Sequence, residues 1–192
     1  LYCDPSDSQT RLASRTVLDI LFNHLTAWLA PILCFTAEEA WISRNGNDAD
    51  TSVHLRTFPE VSEDWRDDLL AAKWDKVRRL RRVVTGALEI ERIEKRIGSS
   101  LQAAPEVYAD DETIAAMMDI DLAEISITSK ATLIAGSPPS NSFLLEDVPE
   151  IGVITKLAKG EKCARCWQVL EEVGNNKHED LCNRCSKAVE KT

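Results

Sequence analysis

No stretch of this sequence is apolar for long enough to cross a bilayer, and no basic N-terminal region leads into an apolar one. Neither a membrane span nor a secretory leader is therefore expected, and the chain reads as cytosolic. It contains no Gly-rich phosphate loop and no nucleophile–base pairing that spacing supports, so a self-contained enzyme is the weakest class. There is no low-complexity tract, and no internal repeat beyond two Cys-x-x-Cys pairs. A starting methionine is also lacking. Leu1-Tyr2-Cys3 looks like the middle of a longer protein, and a trimmed chain is the expectation. Basic residues are outnumbered: the net charge is -9, which argues against a generic nucleic-acid binder.

What is present is enough for a packed core. The 192 residues are 44% hydrophobic and 29% charged, the balance of a globular chain rather than a disordered one. The charge is unevenly spread. Residues 73–97 hold nine Lys and Arg against four Asp and Glu, and residues 156–192 hold eight against six. Two positive segments thus interrupt an acidic background, and local patches decide where a phosphate backbone can dock.

Residues 7–30 carry a wide apolar arc at helical spacing, including Val17, Leu18, Leu21, Leu25 and Trp28, which predicts a deeply buried helix ended or kinked by Pro31. Thr36-Ala-Glu-Glu39 has the form of a capping box, with a short helix from Ala37 to about Ser43. Asn45-Gly46-Asn47-Asp48 is a loop, and 53–58 is extended. A long helix is expected over 64–97, striped by Leu70, Trp74, Val77, Leu80, Val84 and Leu88 and stopped by Gly98. The pattern then changes. Strands are predicted at 101–108, 123–127, 130–135 and 143–148, with a short helix at 112–118 and a turn over Gly136-Ser-Pro-Pro139. Asp110-Asp111-Glu112 suits the start of that helix, where negative charge complements the dipole. The fold class is mainly α. Residues 1–98 form a helical bundle, 99–155 a small α+β unit, and 156–192 a four-cysteine module.

Six cysteines in a reducing compartment are not expected to form disulfides. Cys3 and Cys34 stand alone and are expected to be small buried residues. The other four fall as Cys163-x2-Cys166, fifteen residues, then Cys182-x2-Cys185. Two tight knuckles can aim four thiolates at one point, and the spacing lies in the range of zinc ribbons. Gly174-Asn175-Asn176 falls where the returning hairpin would turn. Four sulfurs fill a tetrahedron, so one structural zinc with no open position is predicted. His178 is a second candidate ligand, with a place at the surface the plainer reading. So small a module depends on its metal to fold, and is expected to do so independently of the helices.

Several of these segments together resemble a family. Leu29-Ala-Pro-Ile-Leu-Cys-Phe-Thr-Ala-Glu-Glu-Ala-Trp41 resembles the LAP-x-x-PFTAEE-x-W segment in the anticodon-binding helical domain of class I synthetases for isoleucine, valine, leucine and methionine. Leu1-Tyr2-Cys3-Asp4 is similar to the end of that domain's KDRLYC stretch, and Ser52-Val53-His54-Leu55 with Phe58-Pro59 to its SVHL-x-x-(W/F)P. The run from Trp74 to Leu101 resembles the long helix that follows. Cys163-Ala-Arg-Cys-Trp167 with Leu181-Cys182-Asn-Arg-Cys185 resembles the terminal zinc module of bacterial isoleucyl-tRNA synthetases. Cys34 and Ala40 depart from the family pattern, which usually has proline and a larger aliphatic there, and these changes affect local packing.

The resemblance implies a monomeric chain that binds the anticodon stem-loop of isoleucine tRNA and supports ATP-dependent attachment of isoleucine. The catalytic and editing domains would lie elsewhere in the polypeptide, so this piece alone is expected to be inactive. Cations for phosphates would come from Arg78, Arg79, Arg81 and Arg82 on the long helix, and from Lys162, Arg165, Lys177 and Arg184 around the zinc. The plain alternative for the helical arginines is a solvated face, or pairing with the acidic unit. Trp167 is either core for a small module or a platform for a base. Apart from the resemblance, two classes remain: a zinc-ribbon nucleic-acid binder like the tails of some DNA glycosylases, and a protein-interaction adaptor.

Overall fold

The structure, a computed structural model, describes residues 1–46, 48 and 50–191. Asn47, part of the expected loop at 45–48, lies outside the described residues. The chain's contacts divide it into two compact units, one drawn mainly from Leu1–Arg66 and the other from Asp67–Glu190. Among the described residues no helix is long and apolar enough to cross a membrane.

In the first unit, α1 (Gln9–Leu29) is opened by Ser8, whose hydroxyl accepts the Arg11 amide at 3.2 Å. The helix stops at Ala30, before Pro31, as proline dictates. Its burial is the first correction. Only His24, Thr26 and Ala27 are buried, while Val17, Leu18, Leu21, Leu25 and Trp28 are exposed. An apolar arc predicts burial only where a partner covers it, and here α2 (Cys34–Asn45) and a 3-10 turn at Val53–Leu55 pack on α1 and enclose the other side. Ala30, Ala37 and Val53 form the small core between them, with Trp41 against it. Trp28 and Trp65 are partly exposed and stand edge-on to His24 at 5.2 and 5.7 Å.

The capping box at Thr36 does not form. α2 begins earlier, at Cys34, so Thr36 already lies in its first turn, and the Leu33 cap makes no side-chain bond. Glu38 instead accepts the Val53 amide at 2.8 Å, tying α2 to the 3-10 turn that replaces the expected extended segment. Cys34 is exposed and Cys3 half-buried, so neither is the buried residue expected.

In the second unit, α3 (Asp68–Ile93) is capped by Asp67, which accepts the Leu70 amide at 2.8 Å. It ends before Gly98. Lys95 takes the left-handed conformation at φ 59°, and the Arg96 amide turns back to the Glu91 carbonyl at 2.9 Å. This turn drops Ile97 into the core. A capping box then forms where a strand was expected: Ser99 caps a 3-10 turn over Ser100–Gln102, and Gln102 reaches back.

The sheet has the order β2-β1-β4-β3, from β1 (Glu106–Ala109), β2 (Thr132–Ala135), β3 (Phe143–Leu145) and β4 (Val148–Ile154). β1 pairs in parallel with β2 and antiparallel with β4. The single strand expected at 143–148 is thus a β3–β4 hairpin. Between β1 and β2 run two short helices, α4 (Asp111–Ala116) and α5 (Leu122–Ser126). α5 replaces the strand expected at 123–127. Asp121 accepts the Ala123 and Glu124 amides at 2.8 and 3.2 Å, and that cap outweighs a short apolar run that also suits a strand.

α3 lies across this sheet. Val77, Leu80, Val83, Val84, Ala87 and Leu88 share one core with Val107, Val148, Ile151 and Val153. The contacts therefore group α3 with the sheet, whereas the change of pattern at residue 98 suggested a division there.

Candidate metal centre and nucleic-acid interface

The cysteine module begins with two short strands, β5 (Glu161–Lys162) and β6 (Val169–Leu170), paired antiparallel. Their connection is the first knuckle. The Cys163 amide donates to the Gln168 carbonyl at 2.9 Å, and the Trp167 amide to the Cys163 carbonyl at 2.9 Å. The hairpin is thus made by the knuckle itself. Gly174, expected at its tip, lies in the turns beyond β6 with φ 94°. Gly160 holds the base of the hairpin at φ 109°, and a Cβ there would meet the Leu170 backbone at 2.2 Å. The second knuckle opens α6 (Asn183–Glu190). Glu172 accepts the Asn183 amide and side-chain amide, each at 2.8 Å.

This folding brings together the four sulfurs that the spacing predicted. Cys163, Cys166, Cys182 and Cys185 place their Sγ atoms within 4.8 Å of one another. A tetrahedral zinc–thiolate site with bonds of ~2.3 Å has sulfur–sulfur edges of ~3.8 Å. Cys166 Sγ and Cys182 Sγ are 3.7 Å apart, at that edge length, and the whole set is gathered closely enough to hold one such ion. Three of the cysteines are buried and Cys166 is half-buried. Burial pushes the Cys163 thiol up, but the amides of Cys166, Cys182 and Arg165 pull it further down, to about 6. Burial dominates at Cys185 and raises it to about 11, against a hydrogen bond from the Arg165 side chain that lowers it. Cys166 and Cys182 are raised too, again mainly by burial. Buried thiols of this kind lose their protons when a cation takes them as ligands. His178 is not among the clustered donors, and its Nε2 lies 3.8 Å from the Glu190 carboxylate.

Trp167 is not core. It follows the first knuckle at φ 67° and is 61% exposed, with Lys162 Nζ 5.3 Å from its ring centroid. Arg184 donates to Oε1 of the residue after Trp167, Gln168, at 3.5 Å, and Lys177 pairs with Glu190 at 3.5 Å.

The helical arginines are bound into their own unit. Arg78 pairs with Asp75 at 2.6 Å, Arg79 with Glu150 and Arg82 with Asp147, while Arg81 donates to the Ile125 carbonyl at 2.7 Å. The Arg82 hydrogen bond holds Asp147 below the usual carboxylate range. These pairs are exposed, so each contributes little to stability and exchanges readily.

Sequence reasoning missed two residues that place the knuckle. Buried Ser129 donates to the Leu101 carbonyl and accepts the Val169 amide at 2.6 Å, and Gln168 Nε2 donates to the Thr128 carbonyl at 3.5 Å. A serine between two apolar segments carries no motif. Its role arises only when 101, 129 and 169 meet.

Comparison with known proteins places both parts. Residues 1–108 match the model for the anticodon-binding domain of tRNA ligase, and residues 160–188 match a zinc finger found in FPG and IleRS. The chain is 50% identical over 191 residues to an isoleucine–tRNA ligase of Agrobacterium fabrum, covering 98% of this chain and 20% of that relative. It is 48% identical over 190 residues to one of Ruegeria pomeroyi, covering 98% and 19%, and 45% identical over 194 residues to one of Rhodopseudomonas palustris, covering 98% and 19%. The chain thus spans about a fifth of the length of these relatives. With a family model covering more than half its length and a sulfur cluster fit for one zinc ion, the chain belongs to the family of anticodon-binding domains of tRNA ligases.

Proposed function

We propose that this chain is the tRNA-recognising part of an isoleucine–tRNA ligase, acting as a monomer in the cytoplasm. It holds the anticodon stem-loop of isoleucine tRNA, while other parts of the polypeptide carry out the ATP-dependent attachment of isoleucine. The chain alone is inactive in that reaction. One zinc ion, held by Cys163, Cys166, Cys182 and Cys185, has a structural role, because four thiolates leave no position for substrate.

Trp167 carries this reading. An aromatic ring held outward on strained backbone, with a cation near its face, is a poor use of a tryptophan unless something stacks on it. An unpaired base of an RNA loop fits, since recognition of RNA sequence relies on stacking splayed bases on aromatic rings. Lys162, Arg165, Lys177 and Arg184 supply phosphate contacts around it. Arg78, Arg79 and Arg82 contribute by exchanging carboxylates for phosphates, and Arg81 by turning from the Ile125 carbonyl to a phosphate. In functional terms we retain three segments: 1–98 approaching the stem-loop, 99–155 joining, and 156–192 clamping. A free-standing zinc ribbon or an interaction adaptor does not account for similarity that runs over 98% of the chain.

Titration of labelled isoleucine tRNA against the zinc-loaded chain tests this. Trp167→Ala should weaken binding by about ten- to a hundredfold, the range for losing one stacked base, with Trp167→Phe intermediate and zinc content unchanged. Equal affinity of wild type and Trp167→Ala at low salt would remove the knuckle from the RNA.

A further inference from the structure

Two bulky residues of the second unit hold left-handed backbone on either side of one hydrogen bond. Ile127 closes α5 at φ 55°, and Trp167 closes the first knuckle at φ 67°. Their chain neighbours Thr128 and Gln168 are joined by the bond from Gln168 Nε2 to the Thr128 carbonyl at 3.5 Å. Among the described residues only Lys95 is a third non-glycine in this region of φ. For a β-branched side chain the conformation is a true outlier.

The turn does not call for isoleucine. It is made by backbone: the Ile127 amide donates to the Glu124 carbonyl at 3.2 Å and the Thr128 amide to the Ala123 carbonyl at 2.9 Å. Glycine or asparagine completes such a helix end with less strain. Nor does burial offset the strain, because Ile127 is 55% exposed while Ser126 and Thr128 on either side are buried. Exposure alone would say nothing, since single apolar side chains are common at a surface, but a β-branched residue held at this φ with no burial to offset it points to a role outside the fold.

The surroundings say with what. On one side, Arg81 of α3 donates to the Ile125 carbonyl at 2.7 Å. On the other, Arg184 donates to Gln168 Oε1 at 3.5 Å, and Gln168 holds Thr128. The turn therefore links the two sets of cations assigned above to RNA, and lies one hydrogen bond away from the stacking tryptophan. We propose that Ile127 is itself an RNA-contacting residue. It packs against an unpaired nucleotide of the anticodon loop next to the base on Trp167, with Arg81 and Arg184 at the flanking phosphates. This rests on the tRNA-binding reading. A single-stranded loop is the occupant because it alone combines flat apolar faces with closely spaced phosphates, the complement of this arrangement.

The test uses the zinc-loaded chain, a transcript of the anticodon stem-loop of isoleucine tRNA, and a fully paired hairpin as control. Affinity and thermal melting are measured for wild type, Ile127→Gly, Ile127→Asn and Trp167→Ala. Both Ile127 variants should melt a few degrees higher, because the strain is relieved, yet bind the stem-loop about fivefold more weakly, with paired-hairpin binding unchanged. A purely structural residue does not produce that opposition. If the Ile127 variants bind the stem-loop as wild type does while Trp167→Ala weakens it, Ile127 lies off the RNA face and the proposal falls while the tRNA reading stands. Lower melting of both variants would make isoleucine a structural requirement, which also overturns the proposal. Wild type that binds the stem-loop no better than the paired hairpin removes the tRNA reading and this proposal with it, whereas equal binding by wild type and Trp167→Ala takes the knuckle off the RNA and overturns this proposal alone.

Discussion

At the scale of single residues, the metal centre depends on positions that bind nothing. Gly160 is one. Its φ of 109° is strained for any other residue, and the space a Cβ would need is filled by the Leu170 backbone rather than by a side chain that can yield. Gly160→Ala should therefore displace β6 and with it the first knuckle, costing about 3 kcal/mol or more. Competition with a chromophoric chelator would show zinc held more than tenfold less tightly, and retention of wild-type zinc affinity would mean the hairpin adjusts. Arg165 is a poor probe of RNA contact for a related reason: its side chain also hydrogen-bonds Cys185, so altering it disturbs the metal site. Arg184 is tied in too, since its acceptor Gln168 Oε1 also takes the Cys166 thiol at 3.6 Å, so zinc content has to be measured beside RNA binding for either variant. The four cysteines were legible because a metal fixes their type and spacing in the chain. Ser129 and Gln168 were not, because a hydrogen bond between residues about forty apart has no sequence period.

At the scale of elements, local chemistry decided where periodicity misled. The apolar positions of 122–127 suit a strand or a helix, and the difference lies in Asp121, whose carboxylate takes two amides and starts α5. Asp121→Ala should lower the stability of the sheet unit by about 1 kcal/mol in urea unfolding, and Asp121→Asn should restore most of it. No loss in the alanine variant would mean that packing alone holds α5. The ends of α3 teach the same lesson. The stripe was legible because its 3.6-residue repeat continues through Val77, Leu80, Val84 and Leu88. Its stop was not, because Lys95 rather than Gly98 took the left-handed turn, which burial of Ile97 stabilises. In α1 the pattern was read correctly as helix and wrongly as buried, since a sequence reports which face is apolar but not what covers it.

For the molecule as a whole, the main question is how far the metal's influence extends. A module of some thirty residues has too little core to fold by itself, and zinc contributes about 10–16 kcal/mol in comparable peptides. The small size of the module suggested that it folds with its metal independently of the helices, which leaves its relation to the α+β unit open. Hydrogen bonds join it to that unit. The stretch leading into the knuckle runs beside the start of the sheet unit: the Ala104 amide donates to the Lys156 carbonyl at 2.7 Å and the Ala158 amide to Gln102 at 2.8 Å, with Ala103 bridged to Leu157. Val169 reaches Ser129, and Gln168 reaches Thr128. Removing the metal should free residues 160–190, taking the Val169 amide from the buried Ser129 hydroxyl and the Gln168 side chain from the Thr128 carbonyl, at about 1–3 kcal/mol for a group left unpaired and not rescued by water, while Ser129 keeps its bond to the Leu101 carbonyl. Cys182→Ser should therefore release zinc and also loosen 101–104 and 128–132, while the α3 core around Leu80 and Val84 keeps its packing. Hydrogen exchange followed by mass spectrometry would record lost protection in those two segments as well as beyond residue 160. If protection falls only beyond residue 160, the module is an independent appendage, and the bonds at Ser129 transmit nothing to the sheet.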